Sequence, residues 1–123
     1  MTKGNYVDGF VMVIPKKNNA KYLKMAREGC ATWMKFGALD YKECIMDDMN
    51  AKHVSLTFPK LTKLKPGEAV WFSFIVFKSK AHRNEVNKKV MAYFADKYKD
   101  QSADMPFDMK RMSYGGFEVK VGV

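Results

Sequence analysis

Long apolar runs are scarce in this sequence of 123 residues. The longest spans residues 70–77 and is interrupted by Ser73, whereas a helix that crosses a bilayer needs about 20 apolar residues. Asp8 stands where the apolar core of a secretory signal would begin, so we expect no signal peptide. The sequence therefore predicts a cytoplasmic protein without a membrane partner, folded as a single domain over residues 1–123.

Residues that bind metals or form disulfides are few as well. The two cysteines, Cys30 and Cys44, lie far apart, and the two histidines are His53 and His82. A tetrahedral zinc site needs a closer cluster of thiolates and imidazoles, so we predict no metal and no cofactor. Buried free thiols in a reducing compartment are the favoured interpretation of the cysteines. The motifs of common catalytic families (GxSxG, the Walker loop, GxGxxG and HExxH) are also missing.

Hydrophobic and basic residues are abundant. Hydrophobic residues make up 47% and aromatic residues 14% of the chain, which excludes a disordered protein. Its 22 basic and 13 acidic residues give a net charge of +9, which suits an anionic partner such as nucleic acid. The basic residues are dispersed, however, as they are on solvated helix faces. We therefore treat nucleic acid only as an alternative partner.

The hydrophobic pattern predicts alternating strands and helices. A β-branched and aromatic run over 6–14, closed by Pro15, predicts the first strand. Apolar residues at three- and four-residue steps predict an amphipathic helix from Asn18 or Asn19 to about Phe36, ended by Gly37. Ser79 is expected to cap a second helix. The later elements are strands over 39–46, 70–77 and 111–121 and that second helix over 81–98.

Two segments carry more specific expectations. The Gly115–Gly116 pair in the last strand predicts a bulge or a close backbone approach. The irregular stretch over 50–66 is long for a connection, and it is expected to hold a short strand, a partner-clasping arm or a pocket lid. Its apolar residues Leu56, Phe58 and Leu61 suggest that it lies down on the protein.

The order β-α-β-β-α-β predicts an α+β, ferredoxin-like fold. Right-handed crossovers place both helices on one face of a four-stranded antiparallel sheet. The third strand is apolar on both faces, so the face without helices would be an exposed apolar surface. Because a monomer rarely tolerates such a surface, we expect a second copy of the chain to cover it.

Polar residues inside these apolar strands are the candidate site. Asp8 and Glu43 are candidate catalytic carboxylates, because carboxyl groups in a cavity between two sheets would be desolvated and suited to acid or base chemistry. The competing interpretation places them at strand edges, paired with Arg or Lys. The other candidate pocket residues are Tyr41, Trp71, Ser73 and Tyr114.

Two weaker signals point to anions. His82 and Arg83 open the second helix, where backbone N–H groups can bind an anion, although a solvated charged turn is the commoner arrangement. The third strand resembles the second half of an RNA recognition motif, but Val70 and Trp71 stand where that motif has a basic residue and a glycine. Asp8 in the first strand would also repel phosphate.

Four segments together resemble the YbaA-like family of small bacterial proteins of unknown function. They cover residues 6–11, 37–44, 76–83 and 105–117, the last being the most specific. The resemblance implies a dimeric α/β barrel, in which two ferredoxin-like units face each other sheet to sheet. The wider superfamily includes cofactor-free monooxygenases, haem-degrading enzymes and isomerases, and the family brings no agreed catalytic residues.

The sequence thus predicts a homodimeric α/β barrel that binds a small, mostly apolar ligand. If the ligand is transformed, we expect proton abstraction from a carbon acid or cofactor-free oxygen chemistry, with Asp8 or Glu43 as the base. An RNA-binding module and a purely structural dimer are the alternatives.

Overall fold

The computed structural model describes residues 4–101 and 104–123. Strands and helices follow one another in the predicted order, with one further short helix and two single 3₁₀ turns, Lys16–Asn18 and Met109–Arg111. No helix in these ranges is long and apolar enough to span a bilayer. The elements are β1 (Tyr6–Pro15), α1 (Asn19–Lys35), β2 (Asp40–Ile45), α2 (Phe58–Thr62), β3 (Glu68–Phe77), α3 (Lys80–Lys97) and β4 (Ser113–Glu118).

The four strands form one antiparallel sheet in the order β2-β3-β1-β4. This is the ferredoxin-like arrangement, so the predicted fold is confirmed. β1 and β3 pair along their whole length, from Tyr6 opposite Phe77 to Pro15 opposite Glu68. The two strands with the most continuous apolar sequence are therefore central, and β2 and β4 form the edges.

The predicted helix ends are confirmed. Gly37 follows α1 with a φ of +117°, a conformation that glycine adopts without a Cβ clash. The Ser79 hydroxyl accepts a hydrogen bond at 3.0 Å from the backbone N–H of His82 in the first turn of α3. These local signals depend on single residues, which explains why they could be identified from sequence.

The last strand differs from the prediction. It begins at Ser113, because the preceding residues form the 3₁₀ turn, and it ends at Glu118. Gly115 and Gly116 pair in regular register with Gly9 and Asp8, so of the two features expected here the bulge is not formed.

Alternate residues of the strands face the helices. On this face Met12, Ile14 and Trp71 pack with Tyr22 of α1 in one buried cluster. Ile75 and Phe77 pack with Val86 and Val90 of α3 in a second cluster. Because both clusters lie on the same side of the sheet, the helices cover one face only.

The opposite side of the sheet, here called the open face, is also apolar. Phe72 is 43% exposed and Phe117 61% exposed, although both belong to strands. The face is also free of the two long helices. Its partly exposed apolar residues are Val7, Val11, Phe72, Phe74, Val76 and Phe117, whereas Val13 and Val70 at one end of the same face are buried.

The connecting segment, residues 50–66, contains α2 in place of a strand. Phe58 of α2 lines a cavity of about 260 Å³ together with Val70 and Phe72, which places the segment beside the open face. Leu56 and Leu61 are 62% and 54% exposed. The backbone of the segment lies against the protein, but these side chains do not.

Candidate functional site

Both candidate carboxylates lie on the helix-facing side of the sheet. Asp8 of β1 pairs with Ile75 of β3, and Glu43 of β2 pairs with Ser73 of β3. Ile75 and Ser73 lie on the same face of β3 as the strand residues that pack under the helices. The sequence predicted that the carboxylates would face a second sheet, and that placement is wrong.

Glu43 is the centre of a cluster with two tyrosines. The hydroxyl of Tyr22 donates to one carboxylate oxygen and the hydroxyl of Tyr41 donates to the other, each at 2.8 Å. No ion pair joins Glu43 to any residue in the described ranges. Tyr41 and Glu43, singled out separately from the sequence, are therefore in direct contact.

Burial determines the protonation of this cluster. It raises the pKa of Glu43, and the two tyrosine hydrogen bonds oppose that rise. Burial also raises the pKa of Tyr22 and of Tyr41, and the neighbouring Glu43 carboxylate raises both further. The tyrosines accordingly remain protonated and donate their hydrogen bonds to Glu43.

Gly29 provides the space that Tyr41 needs. A Cβ atom at this position in the interior of α1 would lie 2.9 Å from the Tyr41 hydroxyl oxygen. Glycine in a helix interior costs about 1 kcal/mol relative to alanine. This glycine lets the hydroxyl approach the helix and still reach Glu43.

Tyr22 is held from two sides by aromatic rings. It packs edge-on against Trp71 at 5.0 Å and against Phe107 at 5.8 Å between ring centroids. Trp71 is 3% exposed, and its indole N–H has no hydrogen-bond partner among the described residues. A buried donor without a partner is uncommon in folded proteins.

Asp8 belongs to a second polar cluster, near β4 and α3. Its carboxylate is 1% exposed and accepts hydrogen bonds from Arg83 and Asn87, each at 3.3 Å. Arg83 also donates to the hydroxyls of Tyr114 at 2.7 Å and Tyr6 at 3.1 Å. Burial, followed by the Asp8 carboxylate, raises the pKa of Tyr114.

Gly116 gives the Tyr6 ring its place in this cluster. A Cβ atom at Gly116 would collide with the Tyr6 hydroxyl and ring. The close approach expected at the glycine pair is therefore present, and its partner is a side chain. Arg83 in turn lies over the Tyr6 ring, with its guanidinium carbon 5.0 Å from the centroid.

The remaining predicted residues have other surroundings. The Nδ1 atom of His82 accepts from the backbone N–H of Lys78 at 3.0 Å, while the neighbouring Arg83 is engaged with Asp8. Ser73 is buried beside Glu43 in the pairing register. Cys44 is exposed, which differs from the expected buried thiol. No group of three or more metal-binding side chains was found in residues 4–101 and 104–123.

Sequence reasoning missed three residues of these clusters. Tyr22, Tyr6 and Asn87 each contribute a hydrogen bond to the network around a carboxylate or its arginine. Tyr22 lies on the buried side of α1, where a tyrosine hydroxyl needs a hydrogen-bond partner. This position on the helix was the one feature of the sequence that could have pointed to Tyr22.

Comparisons with known proteins agree on family and fold. The chain matches the model of DUF1428, described as a protein of unknown function, over residues 5–109. It is 39% identical over 113 residues to the uncharacterized protein YbaA of Escherichia coli K12, covering 92% of this chain and 94% of that protein. YbaA of Shigella flexneri matches equally well, with 39% identity over 113 residues.

A solved structure supports the architecture. The crystal structure of a dimeric ferredoxin-like protein from an uncultured marine organism superposes with a TM-score of 0.53, at 10% identity. The match covers 97% of this chain and 99% of that chain. At this level of identity the likeness concerns the fold alone.

Proposed function

Because this chain belongs to the DUF1428 family, whose description states no activity, we propose a function from the residues themselves. The protein is a homodimer that binds a small, mostly apolar molecule and moves a proton on it at Glu43. The observation that carries the proposal is a half-buried carboxyl group that accepts two tyrosine hydroxyls and has no cationic partner among the described residues.

The cluster suits proton abstraction next to a carbonyl group. A carboxylate whose pKa is raised is a stronger base, and catalytic bases work best when their pKa is close to the operating pH. Glu43 takes the proton from carbon, and the electron pair of that bond moves onto the carbonyl oxygen. A tyrosine hydroxyl then donates to the new oxyanion. In a β,γ-unsaturated carbonyl compound, return of the proton from Glu43 to the γ-carbon, with a shift of the carbon–carbon double bond, completes an isomerisation. Formation of a C–O bond between the carbanion and dioxygen, which gives a peroxide, is the oxygenase-like alternative.

Trp71 supports the binding of a polar group at this place. Its unpartnered indole N–H belongs to the ring that packs on Tyr22, one of the donors to Glu43. An oxygen atom on a bound molecule would satisfy that donor. The aromatic rings around it suit an otherwise apolar molecule.

Asp8 is the less suitable base of the two. Arg83 pairs with its carboxylate at 3.3 Å and compensates its charge in a buried place. We assign Asp8 the role of holding Arg83, and through it the Tyr114 hydroxyl, on the same side of the sheet.

Surface area supports the homodimer. The chain exposes 8730 Å², whereas a compact monomer of 14.2 kDa exposes about 6,800 Å². The excess of about 2,000 Å² is comparable with what one subunit buries in an obligate dimer. The open face offers the apolar surface for such an interface, and one structural neighbour is described as dimeric.

RNA binding is the alternative that this geometry disfavours. Stacking on bases would use Phe72 and Phe74 of the open face. Seven of the 19 lysines lie on α1 and α3, on the opposite side of the sheet, and the other twelve are spread over the rest of the sequence. Affinity for RNA that falls steeply with salt would nevertheless support it.

The two free thiols suit the cytoplasm, where we place the protein.

Hydrogen–deuterium exchange tests the proposed chemistry. Wild-type protein is incubated in D₂O with a panel of 2-oxo acids, 1,3-diketones and aryl ketones, and loss of the α-proton signal is followed by NMR. We expect exchange of at least one compound, and we expect Glu43→Gln to slow it by about a hundredfold or more. Asp40→Asn, an exposed carboxylate on the same strand, is the matched control and should leave the rate unchanged.

Two outcomes would overturn this assignment. If Glu43→Gln exchanges the same compound as fast as wild type, Glu43 is not the base. If wild type binds members of the panel but exchanges none of their protons, the protein is a binding module without this chemistry.

A further inference from the structure

We propose that the connecting segment, residues 50–66, is a dimer arm that lies against a second copy of this chain. The inference rests on the homodimer of the proposed function and adds to it a second contact surface outside the sheet. Three observations carry it: the end of the segment is held in place, four of its apolar side chains are about half exposed, and it borders the open face.

Hydrogen bonds hold the end of the segment to the rest of the protein. Arg111, which precedes β4, donates to the backbone carbonyls of Thr62 and Lys63, each at 3.1 Å. The same guanidinium pairs with Glu68 at the start of β3. Within the segment, the N–H of Leu64 donates to the carbonyl of Pro59 at 2.9 Å. The backbone around α2 is therefore fixed by contacts that a loosely attached loop would not have.

Despite this attachment, the segment exposes much of its apolar surface. Four large apolar side chains within eight residues of sequence are between 43% and 62% exposed: Val54, Leu56, Phe58 and Leu61. Single exposed apolar residues are normal, but a contiguous group of this kind marks an interaction surface. Phe58 and Leu61 belong to α2, and Arg111 holds the C-terminal end of that helix through the carbonyl of Thr62.

The cavity of about 260 Å³ shows that this surface continues into the open face. Phe58 from the segment and Phe72 from β3 line it together, and both rings are 43% exposed. A copy that packs on the open face would therefore also contact the segment. This continuity is the reason to assign a second copy rather than an unrelated protein as the occupant.

Two-fold symmetry doubles the number of contacts that the arm makes in the dimer. In such an interface each arm contacts the other copy, so one substitution changes two contacts in the dimer. The arm also explains why a connection of this length is present in a small domain, where most connections have about four to six residues.

Analytical ultracentrifugation of substituted full-length chains tests the arm. We expect Leu56→Glu to raise the dimer dissociation constant by about a hundredfold, because a carboxylate would be buried twice. Leu56→Ser, which removes the apolar contact without adding charge, should raise it about tenfold. Met91→Glu is the matched control, since Met91 is 53% exposed on α3 and lies outside both surfaces. Circular dichroism confirms that each variant is folded.

The results separate failure of the arm from failure of the dimer. If wild-type protein sediments as a monomer at micromolar concentration, both ideas are wrong. If Phe72→Glu on the open face dissociates the dimer and neither Leu56 variant weakens it, the dimer stands and the arm does not. If Met91→Glu weakens the dimer as much as Leu56→Glu does, the effect comes from added charge and the arm is refuted.

Discussion

The close approach of the Tyr41 hydroxyl to Gly29 predicts that a Gly→Ala substitution in this helix lowers the stability of the protein, whereas such a substitution normally raises it. Alanine in place of glycine within a helix interior normally stabilises a protein by about 1 kcal/mol. At Gly29 the new Cβ would lie 2.9 Å from the Tyr41 hydroxyl oxygen, so the tyrosine must move away from Glu43. Losing a hydrogen bond to a charged group costs about 1.5–3 kcal/mol. We therefore expect Gly29→Ala to destabilise the protein by about 0.5–2 kcal/mol.

A double-mutant cycle isolates this effect. In a Tyr41→Phe background the hydroxyl is absent, so Gly29→Ala should instead stabilise by about 1 kcal/mol. Urea unfolding followed by circular dichroism, at one fixed protein concentration, measures both changes. Equal effects of Gly29→Ala in the two backgrounds would refute the reasoning, because the clash with the hydroxyl would then not exist.

Three further predictions concern the two carboxylates and the glycine pair. Gly116→Ala should destabilise the protein by about 1–3 kcal/mol in urea unfolding, because the new Cβ would clash with Tyr6 of β1. Gly115→Ala is the control, since its Cβ would have only ordinary contacts at 3.5 Å or more. Asp8→Asn should destabilise by about 3–5 kcal/mol, since it leaves a largely buried guanidinium without its partner; a loss below about 1 kcal/mol would contradict this. Burial raises the pKa of Glu43 in the folded protein above its ordinary value of 4.5. The stabilisation that the protonated carboxyl group gives the folded state is therefore complete below pH 4.5, and it is lost as the pH rises through the raised pKa. The free energy of unfolding of wild type should therefore fall relative to Glu43→Gln above about pH 4.5, and parallel pH profiles of the two proteins would be the contrary result.

Much of the fold was predictable because it depends on local patterns. The long, mostly apolar run of β3, the glycine after α1 and the serine before α3 each have one structural interpretation that dominates. The family resemblance and the strand order then restrict the topology to the ferredoxin-like arrangement, which the sheet confirms.

The site was less predictable, because it depends on pairs that are distant in sequence. Asp8 and Arg83 were each singled out for separate reasons, yet their 75-residue separation gives no sign that they touch. The face of Glu43 could not be assigned either. In β2, Tyr41 and Glu43 alternate with Lys42, and this short pattern does not say which side meets the helices.

The shared space of Tyr6 and Gly116 has an evolutionary consequence. A ring hydroxyl occupies the volume where any larger residue at 116 would place its first carbon. The two positions are therefore constrained as a unit, although they lie on different strands. Among homologues, replacement of the glycine should coincide with a residue smaller than an aromatic one at position 6, and covariation between these two columns would record the contact.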